Sequence, residues 1–473
     1  MPISKNMTYS SPWMKYLGYL VLGVLLVLSI VFYRERTLFV DIAFQTVKMI
    51  TEPGWHIQVY RFGSGIVHAL PLAAISMKMP LSVVLISYSI SFTLLYLFLY
   101  HITVKWLKNE WLGIAIALLF TLNTYDGFYW ATSELQQGLA VLIVFFAFLL
   151  KYDGSKTWWQ WLIIIMAIPT IGFYHPVMFI PFFFLMGFFW LSDKRFRRWD
   201  NFIISVLLLV TVFVVKSMYF TNNYDLNKME EFKRHFWEYY PNFFKLPSNK
   251  IFLTNSIKFW YFFPLLFILE NVWYLWRKHW LKAFWLTGFS LGFILLTHIG
   301  SPTTPYRFYA EVNYMPLTLF VVIPLLFDIV PNIKKKNILV LLFSVTFVIR
   351  LLAIYNHHKP YTARVAWLQK QLDNTKQNYT SNKVIIPFTK ELESKLSMTW
   401  GIPYESLLLS TMNDPKHSAT IFVPMVVDKF KENIEFQNNW FVSDFGIVYS
   451  DDMDDNSYFN LGKNKYIKIE EVK

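Results

Sequence analysis

Cysteine is absent from all 473 residues. That excludes disulfides, thiolate nucleophiles and cysteine-ligated metals; it does not identify a compartment. Charge is scarce too, with Asp, Glu, Lys and Arg making up 16% of the chain. There is no glycine-rich phosphate loop, no HExxH zinc helix and no GxSxG elbow. Internal repeats and low-complexity tracts are missing as well. The first apolar run has no small-residue cleavage site after it, so it does not read as a removable signal peptide. The acidic "SDDMDD" (450–455) lacks the glycine and the final glutamate of a calcium loop and reads as a solvated turn.

What the chain does have is apolar and aromatic side chains, 55% hydrophobic and 20% Phe, Trp and Tyr, with a mean hydropathy of +0.36. Runs of about 18 or more apolar residues recur along most of it, the mark of membrane-spanning helices. Spans are expected near 16–33, 82–104, 111–124, 137–150, 159–173, 176–192, 201–217, 258–276, 282–298, 312–328 and 337–354. With Lys5 and Lys15 in the cytoplasm, "KWLK" (105–108), "KYDGSK" (151–156), "DKRFRR" (193–198), "WRKHWLK" (276–282) and "NIKKKN" (332–337) all fall on the cytoplasmic side. From Tyr355 onward, 14 Lys and Arg face 15 Asp and Glu, a net of −1, so the +13 total leaves +14 on the membrane part. That basic excess is positive-inside patterning, not a nucleic-acid patch.

The expected fold is therefore an all-α polytopic membrane protein of about 11 transmembrane helices over residues 1–355. A small extracytoplasmic α/β domain should follow over 356–473. Within that tail, 362–375 and 404–412 read as helices, and 383–388, 419–425, 445–450 and 466–472 as short strands. The first external loop is long (34–81), and "GSGIVHALPLAAISMKM" (63–79), short and broken by Pro71, reads as an interfacial helix. The composition, rich in Lys, Asn and Ile, points to a bacterial inner or plasma membrane, with the N-terminus in the cytoplasm.

The external side holds the unusual residues. Asp41 lies about eight residues beyond the first span, among Ile42, Phe44, Val47 and Ile50. It is either a reactive acid or the N-cap of a helix starting at Ile42. Asp126 and Glu134 sit in the second loop, where Glu134 also suits the dipole at a helix start. His175 precedes Pro176 at the mouth of two spans. His298, Arg307 and Glu311 belong to the fifth loop. Arg307 could bind phosphate through its planar fork, or pair with Glu311 four residues on. Together these residues could surround one cavity at the membrane face. The acid would act as general base on an acceptor hydroxyl, and the Arg would stabilise a departing lipid phosphate.

"LFVDIAFQ" followed by "VYRFGSGIVHALPLAAI", together with "YRFYAEVNYMP" (306–316), resembles the GT-C fold of polytopic glycosyltransferases. In that family a long first loop opens with an essential acid, and an arginine–aromatic pair precedes a late span. The resemblance implies a polyprenyl-phosphate-linked sugar donor, membrane lipid as neighbour, and a glycan, lipid or protein acceptor. The first loop has a single Asp where the family carries an acidic pair, so a divalent metal has no clear motif here, and no WWD-type signature follows the spans. Three other classes stay open: a non-enzymatic anchor or assembly factor of a cell-envelope complex, a lipid-linked glycan polymerase or ligase, and a transporter. The spans, read as nearly free of charge, weigh against the last.

Overall fold

A computed structural model of the chain describes residues 12–52, 54–303, 307–424, 440–444, 446–449, 453 and 457–472. Most of these residues are helical. Among the described residues, seven helices are long and apolar enough to cross a membrane: Trp13–Val31, Leu81–Trp106, Glu134–Lys151, Trp199–Tyr219, Trp280–Gly300, Met315–Asn332 and Lys336–Asn378. An eighth crossing results if Pro247–Lys258 and Phe262–Trp276, bent by 89°, form one broken span. The other segments expected to cross form shorter apolar helices, Glu110–Leu119, Trp158–Gly172 and Pro176–Ser192. Glu110–Leu119 has 10 residues, about 15 Å of helix against a hydrocarbon core of about 30 Å. The expected interfacial helix is a tight turn over Phe62–His68 leading into Ala69–Ser76.

Helix starts follow local capping chemistry. Asn109 and Ser133 accept backbone N–H groups at the beginnings of their helices, and Thr157 with Gln160 closes a capping box. The spans are not free of charge, which corrects the sequence reading. Glu270 and Arg350 are both fully buried in span helices. Arg350 Nε donates to the Thr121 carbonyl at 3.0 Å and Nη1 to the Tyr125 hydroxyl at 2.5 Å, with the guanidinium 4.1 Å over the Tyr125 ring. Such a cation is tolerated because the protein supplies the partners that lipid cannot. It also pins the turn that leads into Asp126.

The last span continues beyond the bundle. Lys336–Asn378 is a 43-residue helical stretch with a short turn at 357–358, roughly 65 Å long. Its second half buries Tyr361, Arg364, Trp367, Leu368, Gln371, Leu372 and Thr375, one face of a helix. That face packs on a small strand-containing region. Strand β1 (Lys383–Ile385) lies between β2 (Thr420–Phe422) and β5 (Ile467–Lys468), parallel to both, and β3 (Trp440–Ser443) pairs antiparallel with β4 (Gly446–Tyr449). The connection from β1 to β2 passes through Lys390–Leu396 and Ile402–Thr411, the helical crossover that a parallel pair needs. The acidic turn 450–455 lies outside the described residues except for Met453.

This region does not stand apart from the membrane part. Leu38, Ala43, Val47 and Ile50 share one apolar core with Leu368, Val384, Leu407, Leu408 and Ile421. The helix Val40–Thr51 is therefore clamped between the bundle and the C-terminal region. Phe44 meets Tyr404 edge-on at 5.1 Å, and the Tyr458 hydroxyl donates to the Met79 carbonyl at 2.7 Å.

Candidate functional site

A dense polar cluster is built around the turn "NTYDGF". Glu311 lies on the helix Arg307–Asn313, and its carboxylate accepts the backbone N–H groups of Tyr125 (2.8 Å), Asp126 (3.1 Å) and Gly127 (2.6 Å). Asn123 Nδ2 adds a bond to the Glu311 carbonyl at 2.8 Å. A carboxylate in a nest of successive amides is a favoured arrangement. It requires glycine at 127, where a Cβ would lie 2.8 Å from Glu311 Oε1. Burial and the neighbouring Asp126 push the Glu311 carboxyl upward, opposed by the Gly127 and Tyr125 amides.

That clamp leaves the Asp126 side chain facing three donors. Arg307 Nε and Nη2 lie 2.6 and 3.2 Å from its two oxygens, His357 Nε2 is 2.7 Å from Oδ1, and the Tyr361 hydroxyl is 2.9 Å from the same atom. Against the upward push of burial, the hydrogen bonds from His357 and Arg307 hold this carboxyl well below its ordinary value. His357 Nε2 also sits 2.5 Å from Arg307 Nη2. With one lone pair or one proton on that nitrogen, it can accept from Arg307 or donate to Asp126, but not both at once. The alternative in which Arg307 pairs with Glu311 is corrected: Glu311 is committed to backbone amides, and Arg307 pairs across the fold with Asp126.

Asp41 lies next to this cluster, within reach of Trp130. It is the second residue of its helix, whose cap position is Phe39 and carries no side-chain cap bond. The alternative of Asp41 capping a helix from Ile42 is thereby corrected. Its Oδ2 accepts from the Trp130 indole at 3.1 Å. Burial, and then the charge of Glu134, push the Asp41 carboxyl up to about 7, opposed by the Trp130 bond and by Arg61. Glu134 opens its own helix and is bound by Arg61 Nη1 at 3.3 Å; Arg61 also approaches Asp225 at 3.8 Å. An aromatic wall stands between Asp41 and the Asp126 cluster, since Trp130 packs edge-on at 5.1 Å against Phe308, the residue directly after Arg307.

On the far side of that wall lies a cavity of about 170 Å³, lined by Phe39, Asp126, Arg307, Phe308, Tyr361, Arg364 and Lys395 among others. Asp41 is not in its lining. His175 and His298 make their contacts elsewhere. His175 Nδ1 accepts the Val177 amide at 3.3 Å, and His298 Nδ1 lies 2.7 Å from Asn249 Oδ1. Sequence reasoning missed His357, Tyr361, Arg61 and Trp130. The "HHKPY" run straddling the last span and the tail was the one signal available for the first two. Among the described residues, no group of three His, Asp or Glu side chains is arranged to hold a metal ion. No family model, no curated protein and no solved structure matches this chain.

Proposed function

We propose that the protein is an integral-membrane glycosyltransferase with a GT-C-like bundle, moving a sugar from a polyprenyl-phosphate carrier to an acceptor outside the cytoplasm. One observation carries this reading: a partly buried carboxylate, Asp41, adjoins across one aromatic wall a cavity bearing Arg307, Arg364 and Lys395. In the reaction, the acceptor hydroxyl attacks the sugar's anomeric carbon while Asp41 takes its proton. The bond from that carbon to the phosphate oxygen breaks, and the lipid phosphate leaves with the bonding electrons. A base whose carboxyl sits near neutrality is matched to that work. Arg307 has two of its nitrogens on Asp126, which leaves Nη1 for the departing phosphate. A cation held in place by the protein stabilises developing charge without reorganising.

The reading carries a topology with it. With the bent pair counted as one span, the eight long helices and the three shorter apolar ones give eleven passes, Glu110–Leu119 reaching only part-way through the hydrocarbon core, with the basic clusters in the cytoplasm and residues 356–473 outside, in a bacterial inner or plasma membrane. Acceptors of glycan, lipid or protein type fit equally. The test compares lipid-linked sugars and surface glycans from cells lacking the protein with those restored by the natural chain or by Asp41→Asn. Restoration by the natural chain alone supports the proposal. Full restoration by Asp41→Asn overturns it in favour of a non-enzymatic anchor or assembly factor.

A further inference from the structure

We infer that Glu405, Arg364 and Gly401, all in the C-terminal region, are positioning residues that set the backbone of Val40 and so aim the Asp41 carboxylate. The inference rests on the reading of Asp41 as the base. Val40 has φ of 33°, in the left-handed region that a β-branched residue rarely adopts. Such a conformation persists only where its surroundings impose it. Nothing within the helix does so, because the cap residue Phe39 offers no side-chain bond.

The constraint arrives from 365 residues further along the chain. Glu405 Oε1 accepts the Val40 N–H at 2.9 Å and serves as a cap supplied by another element. Glu405 is fully buried, and Arg364 grips it with Nε on Oε2 at 2.7 Å and Nη2 on Oε1 at 2.8 Å. Arg364 in turn is fixed by the carbonyls of Leu396 and Met398 and lies 5.2 Å from the Phe39 ring centroid. Gly401 closes the cradle: a Cβ there would sit 2.6 Å from Val40 Cα and 2.6 Å from Glu405 Oε1. Phe39 and Val40 are thus held on one side by a buried ion pair and on the other by backbone contact. The next residue, Asp41, carries the reactive group.

Turning Val40 draws Asp41 away from Trp130, the side chain whose hydrogen bond favours its ionised form. The charged and titratable groups facing Asp41 are Glu134, Arg61 and Tyr88, none of which Gly401 or Glu405 touches.

The experiment uses the full chain in membranes and detergent. Gly401→Ala presses directly on Val40. Glu405→Asp keeps the charge beside Arg364 but shortens its reach by one methylene, so it serves if Gly401→Ala does not fold. The ionisation of Asp41 is read without catalysis, from the pH dependence of the difference in melting temperature between chains with and without Asp41→Asn. The expected result is an upward shift of roughly 0.5 to 1 pH unit in the variant background, the scale of one lost hydrogen bond. Sugar transfer should fall roughly 10- to 100-fold in kcat with KM little changed. An unmoved Asp41 ionisation in a folded variant overturns the positioning role, whatever the activity does. Full activity of Asp41→Asn alone overturns the catalytic reading instead.

Discussion

At the scale of single residues, Asp41 and Arg307 separate cleanly from structural substitutes. Asp41 ionises near 7 in the folded protein against an ordinary value of 3.8. Between those values the folded protein keeps a proton that the unfolded chain releases, so this group lowers stability as pH rises from about 4 to about 7. Asp41→Asn should therefore melt higher than the natural protein at pH 8 and together with it near pH 4. Transfer activity of the variant should be lost roughly 100-fold or more, the usual scale for a general base. A variant that is both less stable at pH 8 and fully active would mean that Asp41 is a packing residue. In the natural protein, activity should rise as pH climbs through about 7. Arg307 spends two nitrogens on Asp126, a forked contact that a single ammonium cannot reproduce while also reaching phosphate. Arg307→Lys should cost roughly tenfold or more in transfer at unchanged expression, as expected for one charge-assisted bond. Activity near that of the natural protein would leave Arg307 as a partner of Asp126 and nothing more.

At the scale of elements, the site depends on a turn held by a helix from elsewhere. The Glu311 carboxylate accepts three amides from residues 125 to 127, so Glu311→Ala strands three buried donors, a cost of roughly 3 kcal/mol or more. Gly127→Ala places a methyl 2.8 Å from Glu311 Oε1 and should cost about 1–3 kcal/mol by overpacking. Thermal unfolding in detergent checks both. If Glu311→Ala melts like the natural chain, the clamp does not hold the turn. The same elements show what the sequence could and could not disclose. Apolar runs located the helices, because length and hydrophobicity are local properties. The strands at 383–385, 420–422, 446–449 and 467–468 were legible from their β-branched runs. The clamp was not, since Arg307 and Glu311 share a helical spacing that suggested each other as partners. Only the fold shows both spent on the turn 125–127, Arg307 through the Asp126 side chain and Glu311 through the backbone. His357 and Tyr361 escaped because a domain boundary drawn at 355–356 hid a helix that continues, after a short turn, straight across it.

At the scale of the whole molecule, that continuing helix ties the topology to the site. "NIKKKN" stands at the start of the last span and the Asp126 cluster meets its far end at His357 and Tyr361. Lys336–Asn356 has 21 residues, so about 30 Å of helix, one hydrocarbon thickness, separates the two. In the proposed topology the basic cluster and the cavity therefore face opposite sides of the membrane. The proposed orientation, from positive-inside patterning, puts the cluster in the cytoplasm and the cavity outside, which is where a lipid-linked sugar meets its acceptor in the proposed reaction. The chain offers a clean test because it has no cysteine of its own. Lys194 and Lys376 are both exposed, one in the cluster "DKRFRR" and the other near the end of the long helix. Lys376→Cys should react with a membrane-impermeant thiol reagent in intact cells, whereas Lys194→Cys should react only once the membrane is opened. Labelling of Lys194→Cys from outside would invert the molecule, put the cavity in the cytoplasm, and remove the extracytoplasmic acceptor on which the proposed reaction depends.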